Sequence, residues 1–305
     1  MRIDVHAHYY TEPFSERMRS LGGTRNDVPG GAISLDQRLD MMDDIGVDTQ
    51  VLCVGAQQPY YADATNATEA AHFANEFYKE VSTKYPARFA AFGCVPLPHV
   101  DGAIKEAHRC LDDLGFAGIN LGCAVAAGPL DNPDFEPFWS ELDALKTVVF
   151  LHPLGSGGPL MDSYGLAWTV GGCFEDTTAG LRIAMSGIMQ RHPNVEIIVP
   201  HLGGTIPFLW QRIMDHAERA EKSWAMDALR RMYYDTVNST RLALHCTCEA
   251  VGAGHVLLGT DFPYLLGPKL TRCVSYVEQA GLPAEDVDAI LNRNAQALLK
   301  LPEPT

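Results

Sequence analysis

Eight short runs rich in Val and Ile alternate along this chain with eight longer amphipathic stretches, and that alternation constrains the fold more than any other feature. The runs cover residues 2–6, 49–54, 89–95, 118–121, 148–152, 196–201, 232–237 and 255–261. The stretches between them, with helical spacing of apolar positions, cover 35–45, 68–84, 102–114, 135–145, 177–191, 207–220, 240–250 and 284–300. Repeated strand–helix units build a parallel sheet covered by helices. Eight of them close into an α/β fold of the (β/α)8 TIM-barrel type. The 305 residues exceed a typical domain, but one such barrel takes about 250 residues or more. No linker, repeat or shift in composition divides the chain, so one domain over residues 1–305 is expected. Ser34 and Asp101 precede helical stretches as N-caps, and Gly46, Gly115 and Gly252 follow the ends of others. The longest loops, 9–34 after the first strand and 153–176 after the fifth, would cover the face on which such barrels carry their sites.

The formal charge of -15 comes from acids spread over many segments, which disfavours contact with nucleic-acid phosphates or an anionic membrane surface. A small-molecule substrate is the expected partner. No apolar run approaches the roughly 18 residues of a membrane span, and Met1-Arg2-Ile3-Asp4 lacks a charged-then-apolar leader pattern. A cytoplasmic location is the corresponding expectation. Eight cysteines without a secretory signal read as buried free thiols.

The first strand runs Asp4-Val5-His6-Ala7-His8, and a two-residue separation on an extended chain puts both imidazoles on one side. Two further histidines, His152 and His201, stand at the C-terminal ends of the fifth and sixth strands, and Asp261 ends the eighth. In a closed barrel those ends meet at one face. Imidazoles with one carboxylate suit Zn2+, and also Mn2+, Fe2+ or Co2+. Any one of these residues alone would read as a hydrogen-bonded strand-end residue; five in the matching strands make a metal site. His72, His99, His108, His192, His245 and His255 fall in helices, turns or a strand start, and read as structural or solvent-facing.

These residues, with Lys84-Tyr85-Pro86-Ala87-Arg88-Phe89, Leu114-Gly115-Phe116-Ala117-Gly118-Ile119, His152-Pro153, His201-Leu202-Gly203-Gly204 and Leu258-Gly259-Thr260-Asp261-Phe262-Pro263, resemble the amidohydrolase superfamily. Within it they resemble the branch typified by 2-amino-3-carboxymuconate-6-semialdehyde decarboxylase. The resemblance implies that His6, His8, His152 and Asp261 ligate one divalent metal, Zn2+ first and Mn2+ second, with a water in an open position. It implies catalytic roles for His201, as the acid/base beside that water, and for Asp261. The fourth strand ends Ile119-Asn120-Leu121-Gly122-Cys123-Ala124-Val125, without the Lys or carboxylate that bridges two metals in many hydrolytic members. One metal follows, with Cys123 as a conceivable weak second ligand.

The resemblance also implies that Arg212 contacts a substrate carboxylate across a homodimer interface; the competing reading is a surface pair with Asp215 or Glu218. Tyr164 and Trp168 would contact substrate, and Tyr9, Tyr10, Trp168, Phe174 and Phe262 are candidates for aromatic walls. Two departures stand out. The first long loop offers only Arg17, Arg19 or Arg25 where the family often places another substrate-binding Arg, and Gly165 follows Tyr164 where the decarboxylase has an aromatic. The function implied is a metal-dependent, non-oxidative decarboxylase, a carboxy-lyase, of an unsaturated or aromatic carboxylic acid. The alternatives are hydrolysis of an amide, lactone or carbon–carbon bond, or hydration, by the same parts.

Overall fold

The computed structural model describes residues 1–24, 33–126, 128–155 and 158–301. Their strands are β1 (Ile3–Ala7), β2 (Thr49–Leu52), β3 (Phe89–Gly93), β4 (Gly118–Gly122), β5 (Val148–His152), β6 (Glu196–Val199), β7 (Tyr233–Asp235) and β8 (Val256–Leu257). They lie in one parallel sheet in chain order. The ring closes where β1 meets the chain leaving β8: Val5 donates to the Leu258 carbonyl at 2.9 Å, Asp261 to that of His6 at 2.8 Å, and His8 to that of Phe262 at 2.7 Å. Closure leaves no sheet edge. It also ties the segment carrying two histidines to the segment carrying Asp261.

The inside of the barrel is packed solid. Ile3, Val5, Val51, Phe92, Phe150, Ile198 and Leu257 form one buried cluster, with Phe92 stacked on Phe150 at a ring separation of 5.4 Å. The larger cluster lies between the sheet and the surrounding helices. Below the site a buried polar device joins β1, β2 and β8. Fully buried Asp4 accepts hydrogen bonds from His6 N (3.1 Å), Gln50 Nε2 (2.8 Å), Thr260 N (3.0 Å) and Thr260 Oγ1 (2.6 Å). Buried Arg38 donates from Nε to Gln50 Oε1 and from Nη1 to the His8 carbonyl, so both buried charges of the device are hydrogen-bonded, although Arg38 Nη2 is left without a partner.

Helix 35–45 starts and stops where its caps place it: Ser34 forms a capping box with Gln37, and Gly46 takes the left-handed conformation. Helices Glu12–Ser20, Trp224–Arg231 and Pro268–Glu278 add to the expected eight. The first lies in the expected 9–34 loop, where Thr11 caps Phe14 N and only a short face built on Phe14 and Met18 is buried, too brief a period to read. Helix Gly172–Ser186 begins five residues before the expected start. Gly171 and Gly172 disguise it, and a Cβ at Gly172 would stand only 3.5 Å from Pro153, so this first turn is packed against the loop. That shift moves Asp176 from a loop end into a helix. All eight cysteines are free, three of them (Cys173, Cys246 and Cys248) only half-buried.

Candidate metal centre and catalytic pocket

Strand β1 delivers His6 directly and His8 one residue past its end; β5 delivers His152 as its last residue. His201 and Asp261 were expected within strands, but β6 stops at Val199 and β8 at Leu257. Both residues take positive φ, +54° and +57°, a conformation that costs a non-glycine residue about 1–3 kcal/mol and concentrates at functional sites. The turn aims their side chains across the barrel mouth. It is held by the backbone bonds of Asp261 and His8 across β1 and by His201 N donating to Asp235 Oδ1 at 3.0 Å.

One ligand atom each from His6, His8, His152 and Asp261 falls within 4.8 Å of the others. Asp261 Oδ1 stands 3.2 Å from both His6 Nε2 and His8 Nε2. The far side of each ring is already engaged: His6 Nδ1 with Asp235 Oδ2 at 2.7 Å, His8 Nδ1 with the Cys53 carbonyl at 3.1 Å, His152 Nδ1 with the Pro153 carbonyl at 2.7 Å. Each Nδ1 therefore faces protein and each Nε2 points inward. The Nε2 atoms of His6 and His152 are buried without a hydrogen-bond partner, and a buried polar atom left so costs about 1–3 kcal/mol. Three inward imidazoles and one carboxylate suit one divalent cation with room for further ligands.

Electrostatics agree with that donor set. Burial opposes charge on His6, but Asp235 and Asp261 outweigh it and raise its pKa to about 10. Burial, then the neighbouring His8 and His6, drive His152 well below its ordinary value. Burial alone would raise Asp261; His6 and His8 overcome it and hold the carboxyl well below the usual range. A cluster with one carboxylate and crowded imidazoles gains most from a cation that relieves both burdens.

His201 sits beside this cluster, its ring 5.4 Å from that of His6, and is not among the four grouped donors. Its Nδ1 pairs with Asp176 Oδ2 at 2.8 Å. Burial disfavours charge on His201, yet Asp176 raises it overall; burial likewise raises Asp176. Both shifts make the pair hold its proton more tightly. Cys123 does not join the metal donors: its Sγ lies 3.4 Å from Asp176 Oδ1.

A cavity of about 130 Å3 opens over these groups, lined by His152, Pro153, Trp168, Gly172, His201, Asp261 and Tyr264. Trp168 fits against Gly155, where a Cβ would stand 2.4 Å from the indole. The other expected contacts are placed differently. Tyr164 takes φ +58° in the turn before Gly165 and is 94% exposed, outside the cavity lining; Tyr264 supplies the second aromatic wall. Tyr9, Tyr10 and Phe262 are buried as packing, Tyr10 bonded to the Val54 carbonyl. Phe174 is exposed and does not line the cavity.

Arg212 is exposed on helix Trp210–Arg219 and lines no part of its own chain's cavity. The expected alternatives do not hold it either, since Asp215 accepts from Gln211 instead. Arg17 pairs with Glu69, Arg19 lies 3.6 Å from Glu12, and Arg25 falls outside the described residues. Sequence reasoning missed Asp235, Asp176 and Tyr264. Asp235 ends β7 in the structure, but the expected run 232–237 carried on past it, so the strand-end rule passed over the one carboxylate in that run.

With this geometry in view, similarity to known proteins takes on meaning. A family model described as amidohydrolase matches residues 3–301. The 2-amino-3-carboxymuconate-6-semialdehyde decarboxylase of Dictyostelium discoideum is 31% identical over 242 residues, 76% of this chain and 67% of that protein. The gamma-resorcylate decarboxylase of Rhizobium sp. (strain MTP-10005) is 31% identical over 291 residues, 87% of each chain. Among solved structures, a dihydroxybenzoic acid decarboxylase from Polaromonas sp. JS666, with bound manganese and the inhibitor 2-nitroresorcinol, superposes with a TM-score of 0.83 at 28% identity, covering 99% of this chain and 98% of that one. Eight parallel strands and a family-model match over nearly the whole length lead to one conclusion: the chain belongs to the amidohydrolase family.

Proposed function

We propose that this chain is a metal-dependent, non-oxidative decarboxylase of a one-ring aromatic or comparably sized unsaturated carboxylic acid, built as one domain. The observation that carries the reading is the cavity itself, in which His201 and Asp261 face two aromatic walls, Trp168 and Tyr264, in a small space. An apolar protein cavity of about 150 Å3 admits benzene, so the 130 Å3 here suits a single ring. The named relatives act on acids of this size, which supports the same class for this chain.

His6, His8, His152 and Asp261 would hold one divalent ion. Zn2+ is the ion we assign first on the donor set, with Mn2+ its competitor because the Polaromonas enzyme carries manganese. When bound, the ion would act as a Lewis acid and orient the acid's oxygens. Trp168 and Tyr264 hold the ring. His201 delivers a proton to the carbon that bears the carboxylate; the carbon–carbon bond then breaks, CO2 leaves and the unsaturated system is restored. Asp261, negative among the imidazoles, keeps the site's protons in balance.

The test is a turnover screen of the metal-loaded protein with hydroxybenzoates and muconate-like acids, following CO2 and product mass together. Loss of 44 mass units with stoichiometric CO2 is expected; products heavier by one water, without CO2, would replace the reading with hydration or hydrolysis. No helix among the described residues is long and apolar enough to cross a membrane, which is consistent with a cytoplasmic enzyme.

We also propose a homodimer in which Arg212 reaches the neighbouring site. Arg212 makes no ion pair among the described residues, and Phe208, four positions earlier, is 83% exposed. Trp210 is half-buried, with Arg230 over its ring. A lost charge-assisted contact costs about 1.5–3 kcal/mol, a roughly 10- to 150-fold rise in KM. Mixing inactive His201→Ala with Arg212→Ala protein under subunit exchange should restore part of the activity, because one mixed site carries neither lesion. No recovery despite demonstrated exchange would confine Arg212 to its own chain.

A further inference from the structure

The cavity wall around His201 is strapped to helix Gly172–Ser186 more closely than packing alone requires. Thr205 N donates to Thr177 Oγ1 at 2.8 Å, and the two threonine hydroxyls meet at 3.1 Å. Gly204 takes φ +60°, and a Cβ there would stand 2.1 Å from the Cys173 carbonyl oxygen, so only glycine lets the loop and the helix come this close. The product of that approach is a single polar contact: Asp176, 0% exposed, meets His201 Nδ1 at 2.8 Å. Its second oxygen faces the thiol of Cys123, which arrives at 3.4 Å from the end of β4. Three separate segments thus converge on one buried carboxylate that touches neither the four metal donors nor the cavity.

We propose that Asp176 is a positioning residue for His201, with the Cys123 thiol holding the carboxylate in place. With Nδ1 engaged, His201 has one nitrogen left, Nε2, for whatever enters the cavity. Carboxylate acceptance fixes the proton on Nδ1 and the rotation of the ring, so Nε2 is always the reacting atom. Cys123 donates its S–H to the oxygen that His201 leaves free, preventing the carboxylate from swinging away. The role of the fourth-strand end is therefore to orient the acid/base group from behind, where other members of the fold place a ligand.

The turnover arm of the test rests on the decarboxylase reading; the spectroscopic arm does not. In Zn2+-loaded protein labelled with 15N-histidine, a resonance for His201 Nδ1–H, strongly deshielded by its carboxylate partner and assigned by its loss in His201→Gln, is expected in the parent chain. It should vanish in Asp176→Ala and move in Cys123→Ala. In the acids that the parent chain turns over, Asp176→Ala should lower kcat about 10- to 100-fold, the range typical for an outer hydrogen-bond partner, while KM moves less than about threefold and bound metal is retained. Asp176→Glu should recover part of kcat.

Should Asp176→Ala fail to fold, Asp176→Asn and Cys123→Ala carry the same measurements. An Nδ1–H resonance unchanged by removal of the carboxylate, or a kcat equal to the parent's, would overturn the proposal; so would loss of kcat together with the metal, which would make the role structural. A resonance that behaves as stated in a protein that decarboxylates none of the acids upholds the positioning of His201 and overturns only the decarboxylase reading.

Discussion

His201→Ala is expected to abolish most turnover while leaving the metal in place. The two halves of that result come from different parts of the geometry. His201 lines the cavity and lies next to His6, but it does not belong to the group of four donors that fall within 4.8 Å of one another. Its removal takes nothing from the ion's own ligand set. What it removes is the one imidazole free to exchange a proton with the substrate, and such a group contributes about 10²–10⁴-fold to rate. The measurement is kcat with elemental analysis on the same preparation. A protein that loses its ion as readily as His152→Ala would make His201 a ligand; one that keeps more than about a tenth of the parent rate would remove it from the chemistry.

Asp261→Ala is expected to lose both metal and activity. Asp261 is the single carboxylate of the cluster, 3.2 Å from two imidazole nitrogens that cannot both be charged cheaply at that distance. Without it, three buried imidazoles face one another with no negative charge among them, and a divalent cation would have to enter a wholly neutral donor set. Loss of an outer hydrogen-bond partner alone lowers metal affinity by about 10- to 100-fold, and loss of a direct ligand should exceed that. The parent chain should carry about one equivalent of a divalent ion, because only one complete donor set converges among the described residues and β4 ends without a bridging Lys, Asp or Glu. Stripping the ion should also lower thermal stability: a ligand present at 100 times its Kd contributes about 2.7 kcal/mol. Two equivalents found reproducibly in the parent chain, both lost in Asp261→Ala, would overturn the mononuclear site.

The barrel and the five polar residues at its strand ends were legible in the sequence because both follow from short-range rules. Strands such as Val148–His152 are continuous apolar runs, as strands buried on both faces must be, and a polar residue at the end of such a run has few uses other than the mouth of the barrel. His6, His8, His152, His201 and Asp261 were found this way, and the structure groups a donor atom from four of them, all but His201. Helix 35–45 was found to the residue because Ser34 and Gly46 cap it chemically. Helix Gly172–Ser186 was misplaced for the opposite reason. It opens on Gly172, preceded by Gly171, and glycine has little helical preference of its own; Gly172 instead packs against Pro153 and Trp168.

The chain order of the motifs, the periodicity of the strands and the residue types at strand ends are local properties, so the sequence by itself determined the fold class and brought five candidate residues to one face, while the division into four metal donors and an acid/base came from the family resemblance. Only the tertiary structure decided what those groups touch. That Asp235 grips His6, that Asp176 stands behind His201 with Cys123, and that Tyr264 and not Tyr164 walls the cavity all depend on how segments distant in the chain come together. Such contacts depend on how far a loop rises and which way a side chain turns after the backbone leaves the strand. A change of φ at one residue, +57° at Asp261 or +58° at Tyr164, redirects a side chain across the mouth of the barrel or out into water, and no local pattern of residue types encodes that angle.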